Sequence, residues 1–340
     1  MTQTFIYVSC AASREIAVFS LDGATGGVAL RQRLPVPGSP TPMRVSPDGR
    51  LLLVGLRGEN ALLTCSIDRT SGLLATLGCV PAPGAPAYVS CDGAARNAFM
   101  ASYGDNLLAV FPLGPEGHPA PAAQIETGLP RAHAALADAS GRWLLAPMPG
   151  ADAIRVYRIA DGGRIERNAP PPVMVRPGSG PRHPVFSAGG RFVYCLNELD
   201  GSIDLFAFDA DTGTLEPRQS MSMMPHGFDG APWAAELRVA PGGAFLYASD
   251  RRSSTLAVLS VDARNGQLSL FGHYPTEIQP RGMAIDPSGR YLAVAGQLSH
   301  HLAIYALDPE TGRPDQCFRH ETGEDPICVE TVALPTSADG

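Results

Sequence analysis

Residues 42–55 read Pro42-Met43-Arg44-Val45-Ser46-Pro47-Asp48-Gly49-Arg50 and continue as Leu51-Leu52-Leu53-Val54-Gly55. Two apolar runs flank a tight turn, in which glycine supplies a positive φ without a Cβ penalty and aspartate bonds to the turn backbone. The turn glycine returns at Gly93, Gly141, Gly190, Gly243 and Gly289, at intervals of about 44–53 residues. This period is typical of the four-stranded blades of a β-propeller. The sequence therefore predicts six complete blades.

A seventh unit is divided between the two ends of the chain. Residues 4–9 and 15–20 match the second and third strands of a unit, but no first strand precedes them. Residues 326–334 match that missing first strand. The sequence therefore predicts an all-β, seven-bladed β-propeller with ring closure by the C-terminal strand, which protects strand edges that would otherwise be exposed. We expect a single domain over residues 1–340, with the seventh blade formed by residues 326–334 and 4–36; an open solenoid and two stacked sandwiches are disfavoured.

Composition and charge narrow the possible partners. Hydrophobic residues make up 44% and charged residues 17%, which is typical of a globular chain. The net charge of −7 argues against a nucleic-acid or anionic-membrane surface. No secretory signal is recognised, so we expect a cytoplasmic protein, and we expect it to be a monomer. The seven cysteines have no zinc-binding spacing, and we expect neither a metal nor another cofactor.

Polar and reactive side chains concentrate where inner strands begin and where second strands end. In an antiparallel blade these places lie on the same face, opposite the Asp-Gly turns, around one mouth of the central channel. The residues are Arg57, Tyr103, Arg131, His133, Arg182, His183, Asn197, Glu198, Trp233, Glu236, Asp250, Arg251, Arg281 and Gln297. Any one of them could merely cap a strand or bridge two blades. Several arginines on one face of an acidic protein nevertheless indicate an anion site, because a guanidinium binds carboxylate or phosphate through two parallel hydrogen bonds.

Several motifs resemble those of a known family. They are Gly180-Pro181-Arg182-His183, Tyr194-Cys195-Leu196-Asn197-Glu198-Leu199, Met223-Met224-Pro225, Trp233-Ala234-Ala235-Glu236, Gln279-Pro280-Arg281-Gly282 and Ala295-Gly296-Gln297-Leu298-Ser299-His300-His301. In order and spacing the chain resembles the bacterial propeller-type 6-phosphogluconolactonases of the lactonase seven-bladed β-propeller family, from about Thr4 to Val332. The resemblance implies metal-free hydrolysis of 6-phospho-D-glucono-1,5-lactone to 6-phospho-D-gluconate in the oxidative pentose phosphate pathway. By position it implies site residues at His133, Arg182, Glu198 and Arg251, with His183, Glu236 and Arg281 nearby.

Lactone hydrolysis needs a base for water, positive charge at the developing oxyanion and an acid for the departing ring oxygen. Our hypothesis gives the base role to His133 or Glu198, the oxyanion to Arg182 and the return of the proton to His183. It gives the 6-phosphate to Arg281 with Arg251, and it adds Glu236 and Gln297 to the substrate-binding residues. The alternatives are a carboxymuconate-type lactonizing enzyme, which is an intramolecular lyase on the same fold, and a lactonase for another sugar acid lactone. A non-enzymatic WD-repeat scaffold is disfavoured because the Trp-Asp pair never occurs.

Overall fold

The computed structural model describes residues 2–335, and within them 29 β-strands and two short 3₁₀ helices. The strands form seven antiparallel sheets, six of four strands and one of five. Each sheet contacts the sheets on both sides of it, so the seven close into a ring around a central channel. The prediction of an all-β, seven-bladed propeller closed by the C-terminal strand is confirmed. Neither helix within residues 2–335 has the length or apolar character that a membrane crossing needs.

Blades 1 to 3 follow one another along the chain, and their strands are given from the channel outward. Blade 1 consists of Ser39–Val45, Leu51–Arg57, Ala61–Ile67 and Leu74–Pro81. Blade 2 consists of Tyr88–Cys91, Asn97–Ser102, Leu107–Pro112 and Gln124–Thr127. Blade 3 consists of Leu136–Ala137, Trp143–Met148 and Ala153–Ile159, with two short outer strands at Ile165–Arg167 and Val173–Met174. It also contains both 3₁₀ helices, Pro149–Ala151 and Asp161–Gly163.

Blades 4 to 7 complete the ring. Blade 4 consists of Pro181–Phe186, Phe192–Asn197, Ser202–Asp209 and Thr214–Ser222. Blade 5 consists of Ala234–Val239, Phe245–Asp250, Thr255–Val261 and Leu268–Pro275, and blade 6 of Pro280–Ile285, Tyr291–Gly296, His301–Leu307 and Pro314–Glu321. Blade 7 joins Pro326–Pro335 to Thr2–Cys10, Glu15–Leu21 and Val28–Pro35. The expected single domain over residues 1–340 also takes in Met1 and residues 336–340, which lie outside the described residues.

The hydrophobic core lies between the blades. Second and third strands are covered on both faces by neighbouring blades, so six successive residues of Leu51–Arg57 are buried. Because both faces of these strands are covered, the sequence shows continuous apolar runs and not an alternation of apolar and polar residues. The outermost strands face solvent, and most of Val28–Pro35 is exposed or half-buried. Among residues 2–335, seven apolar clusters form the core, each shared by two adjacent blades.

The turn between the first and second strands keeps its glycine in five of the six complete blades. Gly49 has a φ of 68°, and its N–H donates to the Ser46 carbonyl at 2.8 Å. Blade 2 differs, because Ala95 takes the left-handed conformation at φ 49° and donates to the Asp92 carbonyl at 3.0 Å. The prediction that Gly93 is the turn residue with a positive φ is therefore wrong, because that residue is Ala95, two positions later. The Asp92 carboxylate accepts the backbone N–H of Arg96 at 2.8 Å and fixes the start of the turn at residue 92.

A second kind of turn, between third and fourth strands, joins neighbouring blades. In blade 5 the Asp262 carboxylate accepts the backbone N–H of Arg264 at 2.7 Å, and Gly266 follows with a φ of 75°. The Gly266 carbonyl accepts the Tyr194 hydroxyl of blade 4 at 2.9 Å. A Cβ at residue 266 would lie 2.7 Å from the Phe192 ring. The turn therefore sets how closely blade 5 approaches blade 4.

Blade 7 closes the ring through its inner strand. Pro326–Pro335 pairs antiparallel with Thr2–Cys10, with Val329 opposite Val8. Val329 is completely buried, and the backbone N–H of Cys328 donates to the Ser9 hydroxyl at 3.0 Å. The two ends of the chain thus share one sheet, and the edge that Thr2–Cys10 would otherwise expose is paired.

Candidate active site

β-Bulges at the start of the inner strands turn polar side chains toward the channel. The pairing of blade 4 skips from Pro181 to His183, which leaves Arg182 outside the regular ladder. In blade 6 it skips from Pro280 to Gly282 and leaves out Arg281 in the same way. Blade 5 has its irregularity between Ala234 and Leu237, which frees Glu236. Bulges re-aim side chains next to functional sites, and here the repeat places them at one mouth of the channel.

A histidine of blade 4 and a glutamate of blade 5 form a buried pair. The Nδ1 atom of His183 lies 3.0 Å from Oε1 of Glu236. Burial raises the pKa of Glu236, but the charge of Arg238 and the hydrogen bond from His183 lower it by more, so the carboxylate is ionised. Burial, followed by the charge of Arg182, lowers the pKa of His183 to about 4. A carboxylate only accepts hydrogen bonds, so the neutral imidazole carries its proton on Nδ1 and a free electron pair on Nε2. That buried Nε2 has no protein partner among the described residues.

His133 of blade 3 is a second neutral imidazole. Its ring lies edge-on to that of His183, with the centroids 5.1 Å apart, and on its other side it contacts the Tyr103 ring at 5.8 Å. Burial, followed by the charge of Arg182, holds the pKa of His133 well below its usual value. Within residues 2–335 its buried Nδ1 has no hydrogen-bond partner. Two imidazoles that are neutral at pH 7 therefore lie side by side.

Glu198, at the end of the second strand of blade 4, is surrounded by donors. Its Oε1 accepts N–H groups from Arg251 and, at 3.0 Å, from the Trp233 indole. Its Oε2 lies 3.6 Å from Nε of Arg182. Burial raises the pKa of Glu198, but the charges of Arg182 and Arg251 lower it by more, so the net direction is downward. The carboxylate is thus ionised and already engaged.

Arg251 of blade 5 is fixed by its surroundings. Its guanidinium lies 3.9 Å from the centroid of the Trp233 ring and donates to the backbone carbonyls of Trp233 and Ala234, each at 3.0 Å. It also pairs with Glu198, and only 2% of its side chain is exposed. Burial, followed by the charge of Arg182, lowers the pKa of Arg251 to about 9. These contacts commit the Arg251 side chain to the protein itself.

Arg182 is a buried cation, and some of its N–H groups donate no hydrogen bond within residues 2–335. Only 4% of its side chain is exposed, and its contact with Glu198, at 3.6 Å, is too long for a hydrogen bond. Its Nε and one terminal nitrogen are buried without a partner in the part of the chain that the structure describes. Burying N–H groups of a guanidinium without an acceptor costs free energy, even when a carboxylate lies nearby. Beside two neutral imidazoles, it is placed to bind an oxygen on which negative charge develops.

The structure brings most of the predicted residues together. His133, Arg182, His183, Glu198, Glu236 and Arg251 form one connected cluster, and Arg281 lies in the same cavity as Arg182 and His183. Gln297 is engaged elsewhere: its amide donates to Asp325 at 2.7 Å and accepts from Gln279 at 2.8 Å. Within residues 2–335, no group of three or more histidine, cysteine or acidic side chains is arranged to hold a metal ion.

Sequence analysis missed a second layer of charged residues deeper in the channel. Glu330 of blade 7 lies 3.7 Å from Arg44 of blade 1 and 3.3 Å from Arg238 of blade 5. Arg44 donates to the Tyr88 hydroxyl at 2.8 Å, and Arg238 also lies 3.6 Å from Glu236. This layer supports the His183–Glu236 pair from below. The signal in the sequence was a charged residue at the same register position of three inner strands.

The fold and the site together define a propeller protein whose channel mouth combines neutral histidines with buried arginines. The chain belongs to the family described as "Lactonase, 7-bladed beta-propeller", whose model matches residues 5–331. This confirms the resemblance found in the sequence motifs.

Named relatives cover nearly the whole chain. It is 38% identical over 332 residues to the 6-phosphogluconolactonase of Pectobacterium carotovorum subsp. carotovorum, covering 98% of this chain and 99% of that protein. It is 37% identical over 329 residues to the 6-phosphogluconolactonase of Serratia proteamaculans, covering 96% and 98%. Among solved structures, the periplasmic gluconolactonase of Pseudomonas aeruginosa superposes with a TM-score of 0.91 at 31% identity, covering 98% of this chain and 100% of that one.

Proposed function

We propose that this protein is a carboxylic ester hydrolase that converts 6-phospho-D-glucono-1,5-lactone to 6-phospho-D-gluconate, a step of the oxidative pentose phosphate pathway. The bacterial relatives of nearly full length carry the name 6-phosphogluconolactonase. The observation that carries the proposal is the buried Arg182 guanidinium, with unpartnered N–H groups, beside two neutral imidazoles. Lactone hydrolysis needs this combination of a base and a positive charge.

His183 is the general base in this proposal. Glu236 holds its Nδ1–H, so Nε2 is free to take a proton from water while the water oxygen bonds to the lactone carbonyl carbon. His133, the neighbouring imidazole, positions that water through its unpartnered Nδ1. When the bond between the carbonyl carbon and the ring oxygen breaks, the His183 imidazolium returns the proton to the ring oxygen. The products are a free hydroxyl and a carboxylic acid, which loses its remaining proton to solvent and becomes the carboxylate; no metal or cofactor enters this scheme.

Arg182 stabilises the oxyanion, and Glu198 holds Arg182 and Arg251 in place. Glu198 is a poor base here, because its Oε1 accepts two N–H groups and nearby arginines lower its pKa. Glu236 acts through His183, and Gln297 forms part of the rim of the mouth. The sequence assigned Arg251 to the phosphate together with Arg281. The contacts of Arg251 favour a positioning role instead, whereas Arg281 faces the cavity.

The cellular setting is part of the proposal. We propose a single-domain monomer in the cytoplasm that binds neither nucleic acid nor membrane. The net charge of −7 supports the absence of nucleic-acid and membrane binding, because polyanions and anionic lipids repel an acidic protein.

The deciding experiment compares three reactions of the purified protein: hydrolysis of freshly generated 6-phosphogluconolactone, hydrolysis of unphosphorylated gluconolactone, and lactonization of a carboxymuconate. Rates are measured above the spontaneous hydrolysis of each lactone. We expect the highest kcat/KM with the phosphorylated lactone. A higher kcat/KM with the plain lactone would move the assignment to a gluconolactonase, and activity on carboxymuconate alone would move it to the lyase.

A further inference from the structure

Five arginines line one cavity of the channel: Arg44 and Arg238 belong to the deeper charged layer, and the other three come from three blades at the mouth. Arg57 ends the second strand of blade 1, Arg182 occupies the bulge of blade 4, and Arg281 occupies the bulge of blade 6. Arg57 was noted in the sequence as one of many polar residues at this face, and no role was given to it. Arg57, Arg182 and Arg281 thus place three positive charges at the mouth of this cavity.

Arg57 and Arg281 have no partners in the protein. Over residues 2–335, neither side chain donates a hydrogen bond to another residue or lies within 4.0 Å of a carboxylate oxygen. The nearby Asp325 carboxylate instead accepts the Gln297 amide at 2.7 Å. Burial first, and then the charge of Arg182, lower the pKa of Arg57, and burial, Arg182 and Arg57 lower the pKa of Arg281 to about 10. The three cations therefore repel one another, and the carboxylates of Glu198 and Asp325 offset this repulsion only in part.

Other arginines of this face contact protein groups, and the Arg131 guanidinium lies 5.7 Å from the centroid of the Tyr103 ring. Arg251 is held by Glu198, the Trp233 ring and two backbone carbonyls. Arg14, on the same face, is largely exposed and lies 3.7 Å from Glu59. The free pair is thus Arg57 and Arg281, and Arg182 connects this pair to the two histidines.

We infer that Arg57 and Arg281 together bind the 6-phosphate of the substrate, and that Arg57 determines the preference for a phosphorylated over a plain lactone. The inference rests on the proposed function. A phosphate monoester carries a charge of about −1.5 to −2 at pH 7 and three acceptor oxygens, which suit two guanidiniums converging from different blades. With the phosphate held there, the lactone ring extends toward Arg182, His133 and His183. The arrangement explains why Arg57 and Arg281, which have no ion-pair partner among residues 2–335, lie beside Arg182 in one cavity.

The test measures kcat/KM for 6-phosphogluconolactone and for gluconolactone, in the wild type and in Arg57→Ala. The ratio of the two kcat/KM values is then compared between the two proteins. We expect this ratio to fall by about tenfold to a hundredfold, the size of one charge-assisted contact. Arg57→Lys, which keeps the charge but lacks the planar fork, should recover part of it. In parallel, calorimetry measures the binding of 6-phosphogluconate and of inorganic phosphate, and both should weaken in Arg57→Ala.

Arg14→Ala is the matched control, because it removes one positive charge from the same face outside the cavity. We expect it to keep the wild-type ratio, and a thermal melt of each variant checks folding. An Arg57→Ala protein that melts like the wild type and keeps both the ratio and phosphate binding would overturn the inference and leave the proposed function standing. If the wild type hydrolyses neither lactone, the proposed function fails, and the phosphate-binding comparison alone decides whether Arg57 belongs to an anion site.

Discussion

At the scale of single residues, the site depends on a carboxylate that is not expected to touch the substrate. Glu236 fixes which nitrogen of His183 carries the proton, and its charge offsets the cost of forming an imidazolium in a buried place. Arg238 and the deeper charged layer hold Glu236 in turn. The reactivity of His183 is thus set by residues from three different blades.

Glu236→Gln should lower kcat for both lactones by about tenfold to a hundredfold, because one charge-assisted hydrogen bond of roughly 1.5–3 kcal/mol is lost. KM should change little, since in the proposed mechanism Glu236 acts through His183 and does not contact the sugar. Glu277→Gln is the matched control: Glu277 is another buried carboxylate, paired with Arg319 away from the cavity. Steady-state kinetics of both variants decides the matter, and an equal loss of kcat in the two would show that Glu236 acts only through stability.

The pH dependence follows from the two neutral imidazoles. A general base works in its unprotonated form, so lowering its pKa extends activity toward acid. Because the pKa of His183 is lowered to about 4, kcat/KM for gluconolactone, which has no phosphate that titrates at about pH 6, should stay level from pH 8 to about pH 5.5 and fall only below that. Between about pH 6.5 and 4 the histidines are protonated in the unfolded chain but remain neutral in the folded protein. The free energy of unfolding should therefore also decline as pH falls through this range. An acid limb of kcat/KM centred near pH 6.5 would contradict the assignment of a buried histidine as the base.

At the scale of elements, the bulges and the turns of a blade have different roles. Bulges at the inner strands aim Arg182, Glu236 and Arg281 into the channel. Outer turns such as the one at Gly266 lock one blade against the next. Function and stability are therefore carried by different faces of the same repeat.

The outer turn can be tested with two glycine substitutions. Both Gly266→Ala and Gly190→Ala place a Cβ at a positive φ, of 75° and 69°, and should each cost roughly 1 kcal/mol for that conformation. Gly190 has no atom within 4 Å of such a Cβ, whereas at Gly266 it would lie 2.7 Å from Phe192. Gly266→Ala should therefore lose about 1–3 kcal/mol more in the free energy of unfolding. Equal losses in denaturant titrations would show that the approach of blade 5 to blade 4 is not tight.

At the scale of the whole molecule, the ring is held closed by one strand. Pro326–Pro335 pairs with Thr2–Cys10 and packs its buried Val329 into the cluster shared by blades 6 and 7. It also carries Glu330, which links Arg44 of blade 1 to Arg238 of blade 5 across the channel. One strand thus contributes to the sheet, the core and the charged layer.

A truncation after Asp325 should therefore unfold or aggregate the protein. Its loss exposes the edge of Thr2–Cys10 and uncovers apolar surface on blades 6 and 1. Thermal melting and size-exclusion chromatography of the truncated and full chains provide the measurement. A truncated protein that stays monomeric with an unchanged Tm would rule out closure by this strand.

The sequence by itself determined the number of blades, the divided seventh blade and the face on which the polar residues of the mouth gather. Strand runs and turn spacing are local patterns, and antiparallel order within a blade assigns each loop to one face or the other. One local detail was misplaced, because the turn of blade 2 begins at Asp92 and puts Ala95, not Gly93, in the left-handed conformation.

Only the tertiary structure decided which residues of the mouth touch. His183 and Glu236 are 53 residues apart, as are Glu198 and Arg251, and each pair joins neighbouring blades. Bulges set the directions of these side chains, and the width of the ring sets their distances, neither of which a linear pattern contains. For the same reason the sequence could not separate the engaged Arg251 from the free Arg57, since both are arginines at the end of a second strand. In the closed ring Arg251 contacts Glu198 and the Trp233 ring, whereas Arg57 has no hydrogen-bond or ion-pair partner among residues 2–335.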